Sequence, residues 1–400
     1  MQITDLSEEM KIPVLLRLAF RPLFLGASLF SIIAIAFWGL LLSGHGIWQT
    51  ALPPVFWHSH EMLFGFTSAV VAGFLLTAMQ NWTGLRAPHG KQLLLLVSVW
   101  LLARVLLILP VAIPIQVLMA VDLAFLPIAA ILLAKPIIAA QQYRNLFFIP
   151  VLLLLTLCNA SMWAGLWSNQ EQLISHGSTS TVFLITMVMA IVGGRVLPMF
   201  TANGTKTKRV ESLVWLDRLS LGMLWLVFFI HFLHLQQLVP PIVLASLFGG
   251  AALFSAIRIA RLKIWITFGT PLLWSLHLAY WCIPLGMALF AARYSGMTVS
   301  HSLALHCLTV GGMGGMILAM MARVSLGHTG RMLQPHPLMS SAFAAMLLAL
   351  ACRVLLPLIK PELYVTAIIF TSLLWCFAFG CFVLIYWRIL TSPRADGHPG

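Results

Sequence analysis

Apolar runs about as long as a bilayer is thick recur along this chain, and almost no charge interrupts them. Crossing roughly 30 Å of hydrocarbon takes about 20 residues of helix. Twelve such runs are read, near 23–43, 60–80, 91–109, 112–134, 146–167, 179–199, 212–233, 240–260, 268–291, 301–322, 337–357 and 363–387. Runs 3 and 4 are divided only by the stretch from Pro110 to Pro114. Charged residues make up 8% of the chain, against about 25% in soluble domains, and mean hydropathy is +0.99. The expected fold is all-α: a polytopic transmembrane bundle forming one integral membrane domain over residues 1–400. Helices 1–6 (about 17–200) and 7–12 (about 212–390) would be joined by a basic linker, 201–211, with no clear repeat between the halves. Ile3–Pro22 lacks a small-residue cleavage site, so no removable signal peptide is expected.

The cationic residues order the topology. Nineteen of the 23 Lys and Arg fall on one side of a twelve-helix arrangement, Arg293 and Lys360 on the other, and Arg104 and Arg353 inside spans. Positive charge collects on the cytoplasmic face, which predicts cytoplasmic termini in a bacterial inner membrane. The net charge of +13 then reflects topology and anionic lipid, with no nucleic-acid partner. All six cysteines lie in predicted spans without a Cys-x-x-Cys pair, which reads as buried free thiols.

Chemistry concentrates in a few polar residues. Trp57-His58-Ser59-His60-Glu61 sits where a loop enters the second run. Ionisable groups are costly there unless they bind something, and imidazoles suit transition metals or haem iron. On the twelve-helix count, His277 falls about nine residues into helix 9 and near mid-membrane, while His306 opens helix 10. His58, His60, His277 and His306 are therefore candidate metal and haem ligands, against the alternative of packing or interfacial histidines. Glu61, three residues from His58, is a candidate proton donor or orienting acceptor; Tyr280, three from His277, is a second donor. Asp122 is a weaker relay candidate or a buried structural partner. Arg104 and Arg353 suit haem propionates or snorkel to the interface. Met313 and Met320 descend from His306 past Gly311-Gly312 and Gly314-Gly315, as core filler or as room for a macrocycle or helix. At the other membrane face, Arg21, Asn81-Trp82, Gly193-Gly194-Arg195 and Arg323 through Arg331 form either an anion cradle or a rigid polar lock.

Four strings carry a likeness to a known family: FRPLFLGASLF (20–30), WHSHEMLFGFTSAVVAGFLLTAMQNWTG (57–84), GGRVLPMFTANG (193–204) and HCLTVGGMGGMILAMMARVSLGHTGR (306–331). They resemble the NnrS family of bacterial inner-membrane proteins over nearly the whole chain. The resemblance implies twelve helices, bound haem (b type) and copper, and a role in the response to nitric oxide. It carries over His58, His60, Glu61, Arg195, His277, His306, Arg323 and His328 as recurrent positions, without saying which binds which metal. If His328 binds haem, Arg21, Arg195 and Arg323 would hold its propionates; otherwise Gly327-His328-Thr329-Gly330 caps a helix. The expected function is a haem- and copper-dependent protein that protects against nitric oxide and reduces two NO, with two electrons from an unknown donor and two protons, to N2O and water. The rivals are a transporter of copper, haem or a small metal complex, and a sensor lacking any visible output domain.

Overall fold

The structure is a computed structural model and describes residues 5–46, 52–109, 111 and 113–399. Twelve helices long and apolar enough to cross a membrane follow one another: α1 Phe20–Leu42, α2 Pro54–Thr83, α3 Gly90–Ile108, α4 Ile115–Ala139, α5 Tyr143–Trp167 and α6 Glu171–Thr205 make the first half. The second half is α7 Val214–Phe232, α8 Pro241–Ala260, α9 Pro271–Tyr294, α10 His301–His328, α11 Pro337–Ile359 and α12 Pro361–Thr391. Pro110 and Ala112, in the divide between runs 3 and 4, lie outside the described residues, but α3 and α4 are separate helices on either side. The sequence placed the linker at 201–211, whereas α6 continues through Thr205. It stops where Lys206 turns left-handed (φ 55°) and its N–H bonds the Ala202 carbonyl.

In lipid every backbone group must find its partner within the protein, so helices are the solution for a chain this apolar. Burial sorts them. The most apolar window of α2 is 78% buried, and those of α9 and α10 67% each, against 33% for α3, α7 and α8. Leu94, Leu95, Leu101 and Leu102 of α3 stay exposed on the lipid side, which is why the rim helices are hydrophobic all round. α12 packs along α1, closing the end of the chain onto its beginning. The Arg21 guanidinium, at the start of α1, donates to the carbonyls of Leu390 and Ser392 at 2.9 and 2.8 Å. An even number of spans leaves both ends on one face, here called the terminal side, and the other the far side.

Three helices are locally unwound. Glu61–Thr67 of α2, Cys307–Gly314 of α10 and Ala351–Leu355 of α11 are π-helical. The Ser68 N–H reaches back five residues to Leu63, and the Leu356 N–H five to Ala351. Such wide turns give up helix regularity and are frequent at functional sites.

Candidate functional site

All three π segments meet at one cavity in the far half of the bundle. It is lined by Trp38, His58, Met62, His306, Thr309 and Arg353 among others. Met62, Thr309 and Arg353 each come from one of the wide turns. His58 and Met62 stand four residues apart on α2, hence on one face. The His58 ring lies flat on Trp38, centroids 4.3 Å apart, and its buried Nδ1 has no hydrogen-bond partner. His306 Nδ1 lies 2.7 Å from the Ser302 carbonyl. A carbonyl only accepts, so Nδ1 carries the hydrogen and Nε2 keeps a lone pair, with only Arg353 Nη2 near it at 3.5 Å. That separation is too long for a good bond. Arg353 Nη2 also reaches the Ser302 and Tyr364 hydroxyls, while its buried Nη1 has no partner. An available imidazole nitrogen, a thioether and an unsatisfied guanidinium N–H thus share one space. Buried polar atoms are nearly always paired, so these mark a place that takes a ligand.

His60 faces the other way. Its Nδ1 lies 2.8 Å from Glu61 Oε1, and its Nε2 lies 3.0 Å from both Asp122 Oδ2 and Asn159 Oδ1. The Asn159 amide must present its oxygen to His60, because its nitrogen donates to Asp122 at 2.7 Å. Both ring nitrogens therefore meet acceptors, and the doubly protonated ring satisfies them. Arg104 donates to Glu61 Oε1 at 2.6 Å and to Asp122 Oδ1. Trp163 adds a third donor to Asp122 Oδ2. Two cations and two carboxylates, at most 4% exposed, form a neutral knot joining α2, α3, α4 and α5. Gly65 makes room for it: a Cβ there would lie 2.6 Å from Phe30 and 2.7 Å from the Arg104 guanidinium.

The four imidazoles expected at one membrane level thus occupy three places. His277 stands in the second turn of α9 on the terminal side, because that helix begins at Pro271 and not at 268. Its Nε2 is 2.8 Å from the Thr201 hydroxyl of α6. Among the described residues, no three His, Cys, Asp or Glu side chains come together as a metal site. The Tyr280 hydroxyl donates to the Ala190 carbonyl and accepts from Arg258, which pairs with Asp217. Gly193 and Gly194 let Tyr280 and Arg258 cross α6; a methyl on Gly194 would overlap the Arg258 guanidinium. This corner is a lock, the alternative to an anion cradle. Glu61 and Arg104 belong to the knot through Glu61 Oε1, while the buried Glu61 Oε2 and Arg104 Nε have no partner.

On the terminal side, His328 ends α10, packs its ring on Phe20 and accepts from Arg394 through its carbonyl, with Gly330 left-handed beyond it. Arg21 is bonded to the end of α12, Arg195 is exposed, and Arg323 lies over the Phe200 ring at 3.7 Å. These arginines do not converge with Arg353. The glycines of α10 admit side chains, Leu350 at Gly311 and Trp375 at Gly314. Met62, Trp38, Tyr364, Asn159 and Trp163 were missed in the sequence. Asn159 alone left a signal, as an amide inside an apolar run.

The model of one family, the NnrS protein family, matches residues 14–394. No curated protein matches the chain. The match covers nearly the whole sequence, so the chain belongs to the NnrS family and is a multi-pass membrane protein of that family.

Proposed function

We propose, from this membership and from the paired histidines of the far-side cavity, that the protein holds a redox metal there and handles nitric oxide at it. The observation that carries the reading is a pair of imidazoles from α2 and α10 lining one cavity, with His306 in the tautomer that leaves Nε2 open. Imidazole suits copper and iron, and the Met62 thioether adds a soft donor favoured by Cu(I). The donor set His58, His306 and Met62 therefore fits copper. Haem iron would take the same imidazoles, with Arg353 Nη1 toward a propionate, only if the cavity widened to admit a macrocycle.

When bound, the metal supplies a site for nitric oxide and a path for electrons from a donor outside the chain. The chain does the rest. The Ser302 carbonyl orients His306, Trp38 holds the His58 ring flat, and the apolar residues Ile35, Val310 and Ile368 keep the cavity poor in water. The finer function is reduction of NO to N2O, in a bacterial inner membrane with cytoplasmic termini. Elemental analysis and the absorption spectrum of the purified protein test the centre. His58→Ala and His306→Ala are each expected to lose the bound metal or its Soret band; unchanged metal and spectrum in both would remove the assignment. Consumption of NO with a chemical electron donor then separates a reductase from a protein that only binds it.

A further inference from the structure

A second, slightly larger chamber lies between α1, α2, α6 and α10, toward the terminal side of the histidine cavity. Its wall is apolar throughout save for Thr67, whose hydroxyl donates to the Met62 carbonyl at 2.8 Å. Space of this kind excludes water and takes small apolar molecules, as engineered dry cavities take xenon. A hard, hydrated cation or a haem carboxylate would find nothing in the wall to satisfy it; the thioethers suit only a soft ion such as Cu(I). Met189, Met316, Met320 and Met321 form much of the lining, and unbranched thioether chains deform easily. Val71, Phe74, Val192 and Met320 are only half-buried, so the chamber is not sealed within the bundle.

Its position relative to the histidine cavity matters most. Met62 lines the cavity and Thr67 the chamber, at the two ends of one π segment of α2. On α10, Val310 lines the cavity and Met316 the chamber, on either side of the glycine run. A single wide turn on each helix divides the two spaces. At that level Gly312 leaves the Met189 methyl as its nearest side-chain neighbour across the gap.

We propose that this chamber binds a small, uncharged, apolar molecule of the diatomic-gas class, drawn from the bilayer, and passes it to the His58–His306 cavity. The passage rests on the reading of that cavity given above; the binding does not. Xenon is the probe for binding. Crystals of the full-length protein grown in lipid and pressurised with xenon are expected to show it in the chamber. Absence of xenon there, or an ordered acyl chain filling the space, overturns the proposal. For passage, Val188→Phe and Val71→Phe fill the chamber from α6 and from α2; the second, at a half-buried site, keeps the test open if the first fails to fold. In metal-loaded protein each is expected to slow NO binding about ten-fold while leaving equilibrium affinity unchanged. Unslowed binding in variants that have lost xenon overturns the passage. A protein that takes xenon here but retains no metal keeps the chamber and sinks only the cavity's assignment.

Discussion

His58 and His60 stand two residues apart on one helix, yet one faces a space and the other a knot. Around His60 each ring nitrogen has a carboxylate, and the charges sum to zero. Around His58 a ring nitrogen is buried without a partner, beside an arginine in the same condition. Residue type is identical, so the difference lies in whether neighbouring atoms exhaust its hydrogen-bonding capacity. A satisfied buried histidine holds helices together; an unsatisfied one is available to a ligand.

The comparison breaks most visibly at the knot. Asp122→Ala or Arg104→Ala leaves a buried charge uncompensated and is expected to cost about 3–5 kcal/mol. That would appear as a markedly lower Tm of the detergent-purified protein, and an unchanged Tm would erase the distinction. Gly194→Ala comes next, since its methyl must displace Arg258 from Asp217 and Tyr280. Overpacking there is expected to cost about 1–3 kcal/mol, read in the same melt. At the cavity the sign of the comparison reverses: His58→Ala should lower stability by only about 0.5–1.5 kcal/mol, chiefly the lost stack on Trp38, while metal retention collapses. A large loss of stability with metal retained would make His58 a second structural histidine.

The smallest effect belongs to the exposed tail. The Arg394 guanidinium holds the Asp396 carboxyl below the usual carboxylate range. A lowered folded value means that any stabilisation is present at neutral pH and fades only as pH falls below that range. The pair is exposed and worth little, so Asp396→Asn is expected to lower the neutral-pH Tm at most slightly, which a melt at pH 7 checks.

The twelve spans were legible because length and hydropathy are properties of a line, and α1–α12 follow the predicted runs, though α2, α6 and α10 extend beyond theirs by six or more residues at one end or both. The site was legible only in part. His58, His306 and Arg353 were singled out by cost alone, as polar groups in lipid, and they share the cavity. What spacing could not supply was azimuth across helices. Glu61 was assigned to His58 by same-face counting, but Arg104 and His60 claim it. Asp122 and Asn159 meet His60 only through the packing of α4 and α5 against α2. Tyr280 was chosen by its spacing from His277, but its hydroxyl meets Ala190 and Arg258 while His277 meets Thr201. The wide turns leave no hydrophobic signature, since a π segment is as apolar as the α-helix it interrupts.

The widened coil between Glu61 and Thr67 sets which imidazole looks into which compartment. An α-helix advances about 100° per residue, so excising a single amino acid from this stretch would swing everything upstream by that angle relative to the anchored remainder of α2. Trp57 through His60 would all be re-aimed, carrying the His58 ring off Trp38 and pulling His60 from its carboxylates. A deletion of one residue is thus predicted to do more harm than any point substitution in the same heptapeptide, and a compensating insertion just upstream to restore both alignments.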